Sequence, residues 1–130
     1  MKQKESTLHS QVCSYLKIQY PKVLFMTDLS GIKLTIGQAV KLKYLRSGRA
    51  WPDLFIAEPR GRFSGMFIEL KADTPYRQGG MIKKNQHLEE QEKMLIELIN
   101  RGYYCFFGYT FDGIKKTIDD YMRNVPVNQE

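Results

Sequence analysis

A short apolar segment that carries two opposite charges constrains the fold of this sequence more than any other feature. Residues 66–71, with the sequence MFIELK, have the length and apolar character of a buried β-strand. Successive side chains of a strand point to opposite faces, so Glu69 and Lys71 share a face with Phe67. The opposite face carries only the apolar side chains of Met66, Ile68 and Leu70. The pattern therefore predicts a carboxylate and an ammonium group side by side on a core strand.

A second acid precedes the apolar run upstream of this strand. Asp53 follows Pro52 and comes directly before the apolar residues 54–57. Turn residues at 59–62 then separate this run from the strand that carries Glu69. Two apolar runs joined by a turn predict a β-hairpin, which would bring the two acids close together.

This combination of residue types indicates a particular chemistry. Two carboxylates about 4 Å apart repel by roughly 4 kcal/mol at an effective dielectric of about 20, and a divalent cation removes that repulsion. Hard oxygen ligands favour Mg²⁺ or Mn²⁺ over zinc. Such a metal suits phosphodiester hydrolysis, in which Lys71 would orient or activate a water or stabilise the transition state.

The other elements follow from apolar periodicity, caps and breakers. Helices are predicted over residues 5–19, from a Thr35 cap to Ser47 before Gly48, over 85–101 before Gly102, and over 111–122. Strands are predicted over 23–26, 54–57, 65–72 and 103–109. Loops are predicted over 28–33 and over 73–84, the latter mobile, with a flexible tail at 124–130. We expect one domain over residues 1–130, of the α/β (α+β) class, with a mixed sheet flanked by helices in the order αβαββαβα.

The chain is basic, with 20 Lys and Arg residues against 14 Asp and Glu residues and a net charge of +6. A basic balance favours a polyanion as partner. Positive charge concentrates around the predicted site in the sequence, whereas acids gather within 89–97 and 112–120. The residues expected to bind the nucleic-acid backbone are Lys33, Lys41, Lys43, Arg46, Arg49, Arg77, Lys83 and Lys84.

The sequence also predicts the compartment. No apolar run approaches the roughly 20 residues of a membrane span. The polar residues 1–5 lack the apolar segment of a signal peptide. Cys13 and Cys105 lie in apolar patterns and favour reduced, buried thiols over a disulfide or a metal site. We therefore expect a cytoplasmic protein with no membrane partner.

Two polar residues lie on apolar helix stripes. Gln91 shares a face with Leu88 and Leu95, where an amide without hydrogen-bond partners would cost about 1–3 kcal/mol. Glu5 leads the stripe that continues with Leu8. Both placements are explained if the stripes border a metal site. The alternatives are a solvated boundary glutamine and an exposed first-turn acid that the helix dipole favours.

The main motif has a structural alternative too. Asp53 alone would suit a turn, and Glu69 with its neighbouring lysine would suit a solvated cross-strand pair. Their combination, in order, on two adjacent apolar strands favours catalysis. His9 and His87 have no partners at ligand spacing and are predicted to be surface residues. The aromatic residues within 103–107 are predicted to be sheet core rather than a base-stacking platform.

These residues resemble those of the PD-(D/E)XK nuclease superfamily, and most of all its small VRR-NUC branch of stand-alone phage and bacterial nucleases. The resemblance covers about residues 5–108, most of the chain. It is carried by the helix opened by Glu5, by Trp51-Pro52-Asp53-Leu54, by Phe67-Ile68-Glu69-Leu70-Lys71 and by Gln91, eleven residues before Gly102. The chain departs from the family in Trp51, where a small residue is common, and in the long 73–84 loop. Gln86 is a rival for the family glutamine.

The resemblance implies roles for these residues and a restriction-endonuclease-like fold. Asp53 and Glu69 would bind Mg²⁺ or Mn²⁺, with the backbone carbonyl of Leu70 as a third ligand. Lys71 would be the catalytic lysine, and Gln91 the helix glutamine of the site. The family's N-terminal acid would be Glu5, a candidate ligand of a second metal, directly or through water.

Residues and resemblance together predict a metal-dependent DNA endonuclease of a bacterial or phage-infected cell. No base-reading element is evident, so we expect selectivity for branched, flap or Holliday-junction DNA rather than for a sequence. Cutting both strands favours a homodimer. Two alternatives stay open: a DNA-binding module that does not cut, and an RNA-processing nuclease.

Overall fold

The protein is described by a computed structural model that covers residues 2–28 and 32–124. The helices are α1 (Lys2–Gln19), α2 (Ile36–Tyr44), α3 (Gln86–Asn100) and α4 (Phe111–Met122). The strands are β1 (Phe25–Thr27), β2 (Leu54–Ile56), β3 (Met66–Leu70) and β4 (Tyr104–Gly108). The predicted order αβαββαβα is confirmed.

The four strands form one mixed sheet in the order β1-β2-β3-β4. The neighbours β1–β2 and β2–β3 are antiparallel, which confirms the predicted hairpin, whereas β3 and β4 run parallel. In the parallel pair, Glu69 lies opposite Phe107. The strand with the acid-lysine pair is therefore an inner strand with a neighbour on each side.

The alternation of side chains along β3 divides the core into two clusters. Met66, Ile68 and Leu70 pack with α1 and α4 in one cluster. On the other face, Phe67 packs with α3 in the second cluster, around Leu95. Because Glu69 has the same parity as Phe67, it lies on the α3 face of the sheet.

Capping residues fix where the later helices begin. Asn85 caps α3 by accepting a hydrogen bond from the backbone N–H of Leu88 at 3.0 Å. Thr110 caps α4 in the same way, and Gly102, with φ of +100°, follows α3 as predicted. Among the described helices, none is long and apolar enough to cross a bilayer.

Several predicted element boundaries were wrong, and the strands predicted over 54–57, 65–72 and 103–109 cover only 54–56, 66–70 and 104–108. Helix α1 begins at Lys2 rather than at residue 5, and β1 covers Phe25–Thr27 rather than 23–26. Helix α2 has the predicted Thr35 cap but ends at Tyr44 instead of Ser47. Backbone bonds between residues three apart, such as that from Leu45 N–H to the Leu42 carbonyl at 3.1 Å, tighten the chain after Tyr44 and end the α-helix.

Other predictions on the connecting segments had mixed outcomes. The 73–84 segment, predicted as a loop, contains a short hairpin with an antiparallel bridge between Tyr76 and Ile82, and its mobility stays a prediction. Both cysteines are free, and Cys105 is buried as predicted, whereas Cys13 is only half-buried. Tyr104 and Phe107 are buried in the sheet core, also as predicted. The parts of the predicted loop and tail at 29–31 and 125–130 lie outside the described residues.

Candidate active site

Asp53 is fixed by the strand that carries the second acid. One of its carboxylate oxygens, Oδ2, accepts a hydrogen bond from the backbone N–H of Leu70 at 2.8 Å. Its own backbone carbonyl accepts from the Asp28 N–H at 2.8 Å, so the pairing of β1 with β2 continues to this residue. The antiparallel hairpin thus places Asp53 beside the end of β3, as its register requires.

Glu69 is a buried carboxyl group, with only 4% of its surface exposed. Burial raises the pKa of this group far above its usual range, and the negative charge of Asp53 and a hydrogen bond with that carboxyl raise it further. The Lys71 cation acts in the opposite direction, and its Nζ lies 3.9 Å from Oε2 of Glu69. Without a bound cation, Glu69 therefore holds a proton at neutral pH.

Gln91 joins the lysine to the buried acid. Its Oε1 accepts a hydrogen bond from Nζ of Lys71, and its Nε2 donates to Oε2 of Glu69 at 3.1 Å. The side chain is 7% exposed, so it is not a solvated boundary residue. The rival Gln86 is exposed at the start of α3. The structure therefore places the amide of Gln91, and not that of Gln86, in the site.

His87 is a residue of this network that sequence reasoning missed. Its Nε2 lies 3.2 Å from Nε2 of Gln91, four residues further along α3. The histidine is exposed, as predicted, but it has a partner. The i to i+4 spacing of His87 and Gln91 on one helix face was the available signal. His9 is half-buried rather than exposed, and its Nε2 lies 3.1 Å from Oγ1 of Thr27.

Two further predicted residues border the centre. Glu5 lies half-buried in the first turn of α1, and its charge contributes to the raised pKa of Glu69. Trp51 is half-buried, donates its indole N–H to the Ser47 carbonyl at 2.8 Å and lies 6.1 Å from the Phe67 ring. The indole therefore packs against the α3 face of the hairpin that presents Asp53.

The basic residues expected to bind the nucleic-acid backbone differ in their surroundings. Arg46 is mostly buried in an ion pair with Asp28 at 2.5 Å, and so its guanidinium is already occupied. Arg49 lies 3.8 Å from Glu90, next to Gln91 on α3. The remaining members of the set are exposed: Lys33, Lys41, Lys43, Arg77, Lys83 and Lys84.

The donor set of the centre consists of oxygen atoms. In the parts of the chain that the structure describes, no group of three or more His, Cys, Asp or Glu side chains is arranged to hold a metal ion. The centre has instead two close carboxyl groups, those of Asp53 and Glu69, at the end of β3. Such a set suits a hard cation that keeps several waters, as Mg²⁺ does, and is unsuited to zinc.

The fold is similar to a known one. A solved structure described as a VRR_NUC domain protein matches with a TM-score of 0.68 and 20% sequence identity, over 97% of this chain and 93% of that one. This chain has the fold of a VRR_NUC domain. No family model matches the sequence, and no curated protein does. This structural likeness confirms the predicted restriction-endonuclease-like fold. Comparison of sequences alone did not detect it, because the two chains share only 20% identity.

Proposed function

We propose that the protein is a metal-dependent DNA endonuclease that hydrolyses phosphodiester bonds. The observation that carries the proposal is the convergence of Asp53, Glu69, Lys71 and Gln91 on the α3 face of the sheet. A buried acid in contact with another acid holds a proton at neutral pH, and a bound cation would replace that proton. The likeness to a VRR_NUC domain supports the same chemistry.

The metal would be Mg²⁺ or Mn²⁺, held by Asp53, Glu69 and the backbone carbonyl of Leu70, with Glu5 as a further candidate ligand. When bound, it would neutralise a scissile phosphate and lower the pKa of a coordinated water. The Leu70 N–H already fixes one oxygen of Asp53, so this carboxylate would bind with little reorganisation.

Lys71 and Gln91 have distinct roles in this proposal. The ammonium group of Lys71 would donate hydrogen bonds to the attacking water or to a phosphate oxygen as negative charge develops there. Gln91 would hold that ammonium group in place through its Oε1 and hold Glu69 through its Nε2. The amide thus orients both groups without taking part in proton transfer.

The expected substrate is DNA recognised by its shape. Exposed cations at Lys41, Lys43, Lys83 and Lys84 would contact phosphates, and such contacts carry no sequence information. We expect preference for branched, flap or four-way-junction DNA over linear duplex. Cutting of both strands of a duplex at one place would favour a homodimer, which light scattering on the purified protein would detect.

The test compares cleavage by the wild type and by three variants, Asp53→Asn, Lys71→Met and Asp112→Asn. Substrates are single-stranded, duplex, flap and four-way-junction DNA and a single-stranded RNA, each with Mg²⁺, Mn²⁺ or EDTA. We expect the first two variants to lose activity by about 10³-fold, because each removes a group that acts on the transition state. Asp112 is exposed in the first turn of α4 and serves as the matched control.

Two results would contradict the proposal. One is cutting by Asp53→Asn or Lys71→Met at the wild-type rate, and the other is equal activity in EDTA and in Mg²⁺. Cleavage confined to RNA would move the assignment to the RNA-processing alternative. DNA binding without cutting under every metal condition would favour a binding module.

A further inference from the structure

A narrow hairpin arm projects from the chain between β3 and α3. We use this name for residues 75–83. Its two sides are joined by an antiparallel bridge between Tyr76 and Ile82. The backbone hydrogen bonds that close it run from Lys83 N–H to the Pro75 carbonyl at 2.8 Å, from Arg77 N–H to the Met81 carbonyl at 2.8 Å and from Gly80 N–H to the Arg77 carbonyl at 3.0 Å. The arm therefore has a defined shape.

The turn at the tip of the arm depends on two glycines. Gly79 has φ of +99° and Gly80 has φ of +87°, in the region that L side chains rarely adopt. No atom lies within 4 Å of where a Cβ would be placed at either position. The backbone conformation, and not crowding, thus selects glycine here, and the space around the tip is open.

The base of the hairpin arm is anchored beside the candidate active site. Tyr76 packs edge-on against Phe107 at 6.2 Å, and Ile82 belongs to the same cluster on the α3 face. Phe107 is the direct strand neighbour of Glu69. The arm follows Lys71 by only a few residues, so its base and the centre share one face and one end of the sheet.

The arm, together with Lys84 directly after it, combines an exposed apolar side chain with positive charge. Met81 is 65% exposed, and its sulfur accepts a hydrogen bond from the Arg77 guanidinium at 3.7 Å. Arg77, Lys83 and Lys84 are exposed, and none of the three forms an ion pair with another described residue. Of the acids near the arm, Asp73 lies 3.7 Å from Lys4, and the charge of Glu92 acts on Tyr76 at the base of the arm.

An exposed methionine surrounded by cations that form no ion pairs is better suited to contact a nucleic acid than to pack in the protein core. Met81 buries little apolar surface where it lies, so it contributes little to folding. Apolar side chains, methionine among them, are known to enter between base steps and unstack them while flanking cations hold the phosphates. Methionine is unbranched and adapts its shape to such a gap.

We propose that the hairpin arm is a wedge that recognises the junction between paired and unpaired DNA. Met81 inserts at the open base step, and Arg77, Lys83 and Lys84 contact the adjoining phosphates. The inference rests on the proposed function and makes its substrate class specific: forked or branched DNA, presented to the site by the arm.

The test measures base unstacking without cleavage. The protein carries Asp53→Asn and is kept in EDTA, and the probe is a forked DNA with 2-aminopurine at the last base pair before the fork. Unstacking of this base increases its fluorescence. A second fork carries 2-aminopurine in the interior of the duplex. We expect the fluorescence to rise on binding at the fork position only, by about three-fold.

Variants of Met81 then test whether this side chain causes the fluorescence rise. In the same background, Met81→Ala should lose most of the fluorescence rise, whereas Met81→Leu should retain it because the side chain stays large and apolar. Fluorescence anisotropy should show that the affinity of Met81→Ala for the fork changes by less than about ten-fold, since the cations remain. Ile18→Ala is the matched control, because Ile18 is 81% exposed on α1, across the sheet from the arm.

Failure of this inference can be distinguished from failure of the proposed function. If forks are bound, and are cut by the wild type with metal, but Met81→Ala retains the full fluorescence rise, the wedge is overturned and the nuclease stands. An equal rise at the interior position also overturns the wedge. If no DNA is bound or cut by any form of the protein, both are overturned.

Discussion

Two carboxyl groups that are half-buried or buried, those of Asp119 and Glu69, have opposite surroundings. Asp119 on α4 accepts hydrogen bonds from the hydroxyls of Tyr15 at 2.5 Å and Tyr20 at 2.7 Å and from Nζ of Lys115 at 3.2 Å. Glu69 on β3 has one amide donor at 3.1 Å, a lysine at 3.9 Å and another acid as its neighbour.

The difference appears in their protonation. Burial alone would raise the pKa of Asp119, but the hydrogen bonds from Tyr15, Tyr20 and Lys115 together lower it. Burial also raises the pKa of Glu69, and there the neighbouring acid adds to the effect. Asp119 is thus a carboxylate with three hydrogen-bond donors, and its bond with Tyr15 links α4 to α1. Glu69 instead holds a proton that a bound cation would replace, as expected of a binding site and not of a structural pair.

The largest expected effect is on DNA cleavage, which should depend on Glu69 and not on Asp119. Glu69→Gln removes a charged oxygen ligand and should reduce DNA cleavage by about 10³-fold, or about 4 kcal/mol of barrier. Asp119→Asn should cut at the wild-type rate below its melting temperature, because Asp119 lies on α4, away from the centre. Initial rates on a fluorescent flap substrate give both values, and equal losses in the two variants would remove the distinction.

A smaller effect concerns metal binding. A ligand at about 100 times its Kd stabilises the folded state by about 2.7 kcal/mol. Mg²⁺ or Mn²⁺ should raise the melting temperature of wild type and of Asp119→Asn alike, and that of Glu69→Gln much less. Calorimetry with and without EDTA measures this shift without any nuclease assay. The same shift in Glu69→Gln as in wild type would place the metal elsewhere.

The pH dependence of stability should differ in sign between the two acids. Glu69 has a raised pKa in the folded state, so the metal-free protein should lose stability as the pH rises above the usual carboxyl range. Asp119 has a lowered pKa, so its contribution is lost as the pH falls through and below that range. Urea midpoints across pH should show that Glu69→Gln flattens the alkaline side and Asp119→Asn the acidic side, each by up to about 1.4 kcal/mol per pH unit. Unchanged slopes in both variants would contradict the comparison.

The smallest expected effect concerns His87, at the edge of the hydrogen-bond network around Glu69. His87→Ala removes a partner of the Gln91 amide, so Gln91 should orient Lys71 less well, and kcat should fall by about three-fold with little change in KM. His87→Asn keeps a polar partner and should recover part of the rate. His9→Ala is the control, because His9 bonds to Thr27 rather than to the network. A loss in His9→Ala equal to that in His87→Ala would show a general effect on folding.

Local patterns in the sequence predicted most of the fold. The alternation along β3 predicted which side chains share a face of the strand, because the side-chain period of a strand is two, and the structure shows that α1 covers one face and α3 the other. The turn at 59–62 predicted the hairpin, and the hairpin brings Asp53 to β3. The same periodicity argument indicated that Gln91 was unusual on its apolar stripe.

Pairings between distant residues could not be predicted in this way. Tyr15 and Asp119 are 104 positions apart, and nothing in either segment identifies the other. The ion pair of Arg46 with Asp28 also depends on tertiary geometry, so Arg46 was grouped with the free cations. The adjacent Gly79 and Gly80 were a local signal for the turn of the hairpin arm, but the packing of Tyr76 and Ile82 against the sheet, which anchors the arm, depends on tertiary structure.

Trp51 gives the protein a built-in optical reporter. It is the only tryptophan among eight tyrosines and seven phenylalanines, so its emission can be excited selectively. The indole lies two residues before Asp53 and packs on Phe67, whereas Tyr15 and Tyr20, which bond to Asp119, lie on the opposite side of the sheet. Changes in intensity during a titration with metal or DNA would therefore follow events at one end of β3, with no label attached.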